Sequence, residues 1–546
     1  MRHVRRLGHC LAAGALAGAA LLPLQLVLWP AVRLDAGQLG LAVLAWTSWA
    51  AAWLGGTAFL LVEASSLPLP DIAIRRGLDP LLWRWLVTSV GMLIAGITWW
   101  NHTRLHDFLT PGQRDALAAA GIGAGLVVVV QFAVLLARGS AVTRLPWPLL
   151  FPALLLSAAW GSFVAAPPAP LPGPAPVATR FQAGQRVLLV SWEGADLPWL
   201  LPAIERGDMP FLRERRDAGA WGQLRSLRPY SRAASLATLA TGCSPATHGV
   251  VARRGYRLPF LGGTEVALLL RGPWPSPHQL PWRAWERIPT PPSQRAPLWE
   301  ILSDSGKQVG VVGWPGQARS AWQIAAPLAA ETMPYETLDG ELRAALDPAI
   351  ARNPGLADPT RFAFAIAAEI GAGAALSHAR HPVDALVVAT DLPARLRPLW
   401  TSDDPTASQA EVLRQVVRLL DDQLQALWAL MGGEETMLVV VSPFGMAPPS
   451  SWRRLQGVFG ARSRWRISPE DSPNGFVLFS GPGVRPGTRL RGARLADVTP
   501  TVLYLANLPV ARDMSGRVLL DAVTEERAAV TPLRLVPSYP AADPRR

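Results

Sequence analysis

Cysteine is nearly absent: two in 546 residues, Cys10 inside an apolar run and Cys243 far downstream. Two thiols so placed build neither a disulfide framework nor a Cys-based zinc site, so both are read as structural. Lysine is rarer still, with Lys307 the only one among 52 basic residues. The basic side chains are almost all Arg, as genomic base composition would dictate, and no Arg-rich block interleaves with aromatics. The formal charge of +12 therefore points to no DNA or RNA partner. Charged residues make up 17% of the chain against 50% apolar ones, which excludes a disordered chain and leaves ample material for a buried core.

The apolarity is concentrated at the front. Residues 1–166 hold 11 Arg and 6 acidic residues, a formal +5, which leaves +7 for residues 167–546. Five stretches, Leu7–Val32, Gly37–Val62, Trp85–Trp100 with its flanks, Ala116–Ala137 and Leu145–Ala166, each approach the roughly 20 residues a bilayer demands. They predict five transmembrane helices in a domain spanning 1–166. The alternative for the first, a cleaved signal peptide behind Arg2, Arg5 and Arg6, fits less well because the apolar run is too long and four more follow. Trp29, Trp83, Trp99, Trp100 and Trp147 lie near the ends of the spans, where an indole suits the interface.

Arginines flanking the spans set the orientation. The N-terminus and the second and fourth loops carry 8 of them and the other two loops 3, which predicts a cytoplasmic N-terminus. An odd number of spans then places everything after Ala166 in the periplasm or outside the cell, as in an integral protein of the cytoplasmic membrane. No span holds an acidic residue, Lys or Arg near its centre, so an ion or proton pathway is not expected. Small residues at Ala15–Ala20, Gly55–Thr57 and Gly121–Gly125 permit close helix approach. They serve either the bundle itself or subunits of a larger membrane complex, which with membrane lipid are the partners expected.

Residues 167–185 are Pro-rich, an extended spacer. Behind it, a domain over 186–530 shows short apolar runs suited to buried parallel strands at 186–192, 309–314, 384–390, 436–442 and 475–480. Helical segments lie between them, at Pro198–Arg206, Pro210–Ala218, Pro297–Ser305 and Ala410–Leu430. The alternation predicts an α/β fold with a mainly parallel sheet, a Pro/Trp-rich insertion at 253–295 and a C-terminal tail at 531–546. Chemistry in such folds lies beyond the carboxyl ends of the strands, at Glu193, Asp391, Pro443 and Phe444.

The order of motifs resembles the alkaline phosphatase superfamily, in its type I phosphodiesterase/nucleotide pyrophosphatase branch. The pieces are VSWEGAD (190–196), PYSRAASLATLATGCSPATHG (229–249), APLWEILSDSGKQVGVVGWPG (296–316), ALVVATDLPARLRPLW (385–400), LVVVSPFG (438–445), NGFVLFSGPGVRPG (474–487) and DVTPTVLYLANLPVARDMSGRVL (497–519). The resemblance implies an alkaline phosphatase-like fold. It also implies phosphoester hydrolysis by a Ser or Thr nucleophile and two divalent metals, usually zinc, that clamp the phosphoryl oxygens.

Carried over residue by residue, that chemistry is incomplete. Glu193 stands where the family has a ligating Asp, and Asp391 matches another metal-binding Asp. The family's His six residues on is Arg397, its Asp-His pair ending the next strand is Pro443 and Phe444, and its last His falls near Pro469. None of these four side chains can ligate zinc. Ser231 is the nearest hydroxyl to the nucleophile position, one residue off the expected spacing from Thr241, with Arg232 in the ungapped place. It is read either as nucleophile or as a helix cap. His248 in the T-H-G turn is read as structural, His378 and His381 precede the strand at 384 at its opposite end, and His278 lies in the insertion.

These observations predict a membrane-anchored pseudoenzyme that acts as a scaffold, binding module or complex subunit and needs no cofactor. The alternative is a hydrolase with a reduced site, using Ser231, Glu193 and Asp391 with one or two divalent ions (zinc, magnesium or manganese). A third reading makes Arg397 and Arg232 an anion receptor; in its plainer form Arg397 only pairs with Asp391.

Overall fold

The computed structural model describes residues 2–29, 34–66, 78–136, 147–165, 185–251, 254–258, 264–266, 286–289, 293–314, 322–324, 382–396, 407–446 and 473–539. Contacts divide the chain into two compact units, 1–171 with 251–290, and 172–250 with 291–546. The insertion seen in the sequence thus groups largely with the first unit. Its described part is a small antiparallel sheet of three strands.

The first unit is helical: α1 (Arg2–Val27), α2 (Ala36–Ala50), α3 (Gly56–Ser66), α4 (Leu78–Arg104), α5 (Pro111–Leu136) and α6 (Trp147–Ala165). A single π-turn, Ala51–Gly55, joins α2 to α3 in one continuous apolar rod. Four helices among the described residues are long and apolar enough to cross a membrane, not the five expected. The fifth, α6, counts only among the shorter apolar helices, over the 17 described residues Leu149–Ala165, at the lower edge of the length a bilayer core requires.

Helix α1 packs against each of α2 to α6. Its close approach to the second rod depends on small residues: a Cβ on Gly14 would stand 2.7 Å from the Ala50 carbonyl oxygen, and one on Gly18 would strike that of Trp46. The small-residue run of the first span therefore serves packing within the chain. Bulky apolar side chains such as Leu60, Leu61, Ile122, Leu126 and Val129 face outward. At one end of α1, His3 and Arg6 pair with Glu63 of α3 at 3.0 and 3.3 Å.

Strands are numbered along the whole chain: β1 (Arg186–Trp192), β2 (Gly219–Arg225), the three of the insertion β3 (Arg254–Leu258), β4 (Thr264–Val266) and β5 (Glu286–Pro289), then β6 (Val309–Val312), β7 (Trp322–Ile324), β8 (Ala385–Thr390), β9 (Thr436–Ser442), β10 (Gly475–Ser480), β11 (Thr488–Arg494), β12 (Val510–Ala511) and β13 (Leu535–Val536). The second unit is built on an eight-stranded sheet in the order β11-β2-β10-β9-β1-β8-β6-β7. From β9 to β7 the strands run parallel, and β10 lies antiparallel between β9 and β2. Strands β8, β9 and β10 are buried throughout, which is why they read as unbroken apolar runs.

Three strands of this sheet have no counterpart among the apolar runs. β2 and β11 alternate buried and exposed residues and carry Gly and Arg instead of an apolar run, and β7 has three residues. The chain from 531 to 539, expected as a tail, is part of the domain. β13 pairs with β12, and the Tyr504 and Tyr539 hydroxyls donate to the Thr531 and Pro509 carbonyls at 2.7 and 3.0 Å.

Two helices between β1 and β2, α7 (Leu197–Glu205) and α8 (Pro210–Asp217), cover one face of this sheet, and α9 (Arg232–Thr241) follows β2. Helix α8 has no side-chain cap of its own. Asp421, from the long helix Ala407–Leu430, accepts from the Phe211 and Leu212 N–H groups at 2.9 and 2.7 Å and supplies one.

Candidate functional site

Register decides which residues meet. Trp192 of β1 lies opposite Thr390 of β8, and Ser191 lies between Ala389 and Val441 of β9. The residues that follow these strands, Glu193, Asp391, Pro443 and Phe444, therefore form one row at the carboxyl edge. Backbone bonds extend the pairing past the strand ends: Glu193 N–H donates to the Thr390 carbonyl at 2.9 Å and Gly194 N–H to that of Phe444 at 3.1 Å. Gly194 sits at φ +85°, and a Cβ there would lie 2.7 Å from the Ala394 backbone, so the turn after Glu193 takes no other residue without strain. Asp196 holds the same turn, accepting from Trp199 N–H at the start of α7 and from Met446 N–H, each at 3.0 Å.

Into this row comes α9. Ser231 is its N-cap and accepts from the Ala234 N–H at 3.4 Å. The next side chain, Arg232, reaches the carboxylates. Its Nε donates to Glu193 Oε2 at 2.5 Å, and its Nη2 donates to Glu193 Oε1 at 2.8 Å and Asp391 Oδ2 at 3.3 Å. The fork of the guanidinium thus grips Glu193 bidentately and bridges to its neighbour on the adjacent strand. The Glu193 side chain is 1% exposed and that of Asp391 13%, so both need a nearby positive charge. Burial alone would lower the proton affinity of Arg232, but the hydrogen bonds and charge of Glu193, with the charge of Asp391, raise it overall, and the side chain is fixed as a cation.

The rest of the wall is aromatic. Phe444 is 1% exposed, and the Tyr230 ring packs on it with centroids 4.3 Å apart. Burial, then the charge of Glu193, pushes the Tyr230 hydroxyl well above its ordinary range, so it stays protonated. Tyr230 and Asp196 were not singled out in the sequence. Tyr230 adjoins Ser231, and Asp196 ends the first motif; only these positions could have pointed to them.

Of the residues expected at the site, Glu193, Asp391, Ser231, Arg232, Pro443 and Phe444 all lie at this edge. Arg397 and Pro469 lie outside the described residues, as do His278, His378 and His381. Among the described residues the guanidinium beside Asp391 is that of Arg232; the expected pairing of Arg397 with Asp391 falls on a residue outside them. Among the described residues, one Glu, one Asp, one guanidinium between them and no imidazole do not make a donor set for two zinc ions, so these residues do not fit the metal pair that the resemblance implies. Among the described residues no group of three or more His, Cys, Asp or Glu could hold a metal ion.

His248 is fully buried and structural. Its Nδ1 accepts from the Val250 N–H at 3.1 Å, which leaves the proton on Nε2 facing Thr238 Oγ1 at 3.0 Å. Burial lowers its pKa from 6.5 to about 3. The unfolded chain takes up a proton near pH 6.5 while the folded chain does not, so stability falls as the pH drops through that window. Between pH 8 and 5.5 this residue alone costs about 1.4 kcal/mol. Chemical denaturation at the two pH values checks it: His248→Gln, whatever its own cost, removes that part of the pH dependence. Burial likewise pushes the Cys243 thiol up to about 12, which leaves it unreactive at neutral pH.

A carboxylate row at the carboxyl edge of a mixed, mainly parallel sheet, with the ATG helix beside it, defines the class: an alkaline phosphatase-like α/β domain. The sequence pattern of the type I phosphodiesterase / nucleotide pyrophosphatase family matches residues 187–462, half of the chain, and the chain belongs to that family. A stretch of 51 residues is 45% identical to the 2,3-bisphosphoglycerate-independent phosphoglycerate mutase of Cereibacter sphaeroides (strain ATCC 17029 / ATH 2.4.9), covering 9% of this chain and 10% of the relative. The chain thus spans about a tenth of the length of the curated relatives it matches. Among solved structures, murine ectonucleotide pyrophosphatase / phosphodiesterase 5 is similar with a TM-score of 0.37 and 15% identity over 60% of this chain and 96% of that one. Phosphonoacetate hydrolase from Sinorhizobium meliloti 1021 gives a TM-score of 0.31 and 18% identity over 50% and 61%.

Proposed function

We infer that the chain is a membrane-anchored pseudoenzyme of its family, a scaffold or binding subunit that holds no catalytic metal. One observation carries this reading. Arg232 stands at the nucleophile position and its guanidinium lies between Glu193 and Asp391, where the family's chemistry needs an attacking hydroxyl and cations free to bind phosphate. Ser231, the remaining hydroxyl, is engaged as a helix cap. Metal analysis and turnover of a bis-aryl phosphate by the purified full chain test the reading. Less than 0.1 zinc per chain and no hydrolysis are expected, on the order of the background set by contamination; stoichiometric zinc with hydrolysis overturns it.

The anchor in this reading has α6 as a fifth, short span beside the four longer ones. The N-terminus is then cytoplasmic and the α/β unit periplasmic or extracellular, in contact with lipid and with other membrane-complex subunits. The Arg distribution around the spans supports this orientation. Both native cysteines are buried, so a cysteine placed at exposed Arg491 reports the side by itself. Arg491→Cys is expected to react with a membrane-impermeant maleimide while the cytoplasmic membrane is intact. Labelling only after lysis reverses the orientation.

A further inference from the structure

Buried carboxylates on neighbouring strands repel one another unless a cation lies between them, and in this chain that cation is part of the chain. Glu193 and Asp391 follow β1 and β8, and Arg232 arrives from the first turn of α9, directly after the cap Ser231. Its Nε stands 2.5 Å from Glu193 Oε2. A divalent ion would have to sit about 2.0–2.2 Å from the same oxygen, so guanidinium and metal compete for one place. Pro443 and Phe444 bring no charge to the row, and the Tyr230 ring on Phe444 narrows it further. The position that loses the nucleophile is the same one that gains the charge.

We propose that the Arg232 guanidinium is the resident, covalently attached cation of this pocket: it holds Glu193 and Asp391 together in place of a metal, and by filling that place keeps divalent ions out. The proposal shares with the pseudoenzyme reading its starting point, the misfit of the metal pair, and adds a claim about what occupies the pocket. It makes metal exclusion the work of one side chain. Taking that side chain away leaves two carboxylates, backed by the ends of adjacent strands, facing the vacated space, and a divalent ion is the ligand whose charge replaces the one removed.

The test uses the detergent-solubilised full chain, prepared with and without Mn²⁺, as wild type, Arg232→Ala, Arg232→Gln and Arg232→Ala/Glu193→Gln. Free Mn²⁺ is followed by electron paramagnetic resonance and unfolding by a thermal scan. The wild type is expected to bind no Mn²⁺ in a Glu193-dependent manner. Arg232→Ala is expected to bind one ion at least about tenfold more tightly than wild type and to unfold at a higher temperature when Mn²⁺ is present, as ligand binding to the folded state requires. The added Glu193→Gln should remove both effects. If the Ala variant folds only when Mn²⁺ is supplied, that also supports the proposal; Arg232→Gln, which keeps the bulk without the charge, is then read by the same criteria. No gain in Mn²⁺ binding over wild type overturns it. So does failure of both single variants to fold with Mn²⁺ supplied throughout, because the metal would then not replace the guanidinium. Wild-type zinc with bis-aryl phosphate turnover sinks the pseudoenzyme reading, whereas an Arg232→Ala protein blind to Mn²⁺ beside an inactive wild type removes only this proposal.

Discussion

Arg232→Ala, in the absence of divalent metal, is expected to destabilise the α/β unit by about 3 to 5 kcal/mol, the range for removing one partner of a buried ion pair. The cost arises less from the hydrogen bonds of the guanidinium than from the charges left behind. Glu193 and Asp391 are 1% and 13% exposed, and the register of the strands they follow puts them side by side. A variant that removes all three charges, Arg232→Met with Glu193→Gln and Asp391→Asn, should recover most of that loss, because a buried ionic cluster contributes little net stability over a neutral one. Urea-dependent proteolysis of the detergent-solubilised full chain measures both. If the triple variant is as weak as Arg232→Ala, the loss lies in the packing of the side chain instead of in uncompensated charge.

The fold was far more legible in the sequence than the site. β1, β9 and β10 fall where their apolar runs predict, to the residue, since strands covered on both faces can only be written with apolar side chains. β2 and β11 were missed for the complementary reason: partly exposed and rich in Gly and Arg, they carry no run to find. In the helical unit, hydrophobicity located every described helix, and four of the five expected spans are long and apolar enough to cross a membrane. At the site, the row of strand ends was visible in the spacing of the apolar runs. That Arg232 bridges the two surviving carboxylates could not be read. It depends on where the first turn of α9 stands relative to β1 and β8, and spacing along the chain does not encode that placement. The guanidinium that reaches Asp391 from α9 is 159 residues away along the chain.

Gly516→Ala is expected to cost roughly 3 kcal/mol or more, beyond the ordinary range for overpacking, because the atoms it would strike are backbone. A Cβ at position 516 would collide with the Ala496 carbonyl oxygen and stand 2.8 Å from the Asp497 nitrogen. Around this contact two of the family-like pieces, 229–249 and 497–519, are tied into one knot. Asp497, fully buried, accepts from the Arg494 and Arg517 N–H groups, each at 2.9 Å. Gly516 N–H donates to the Gly242 carbonyl at 3.1 Å, Ser244 N–H to Ser515 Oγ at 2.9 Å, and Thr499 Oγ1 to the Leu239 carbonyl at 2.5 Å. Relief of the clash has to move the turn before Asp497, and that breaks the bonds its carboxylate makes, leaving buried donors without acceptors. The same proteolysis measurement reads the loss, and a variant within about 1 kcal/mol of wild type would show that the knot yields. None of these bonds touches Glu193, Asp391 or Arg232. The residues by which the family is recognised here are those that close the scaffold, so the fold, and the motifs that announce it, do not depend on the side chains at the strand ends.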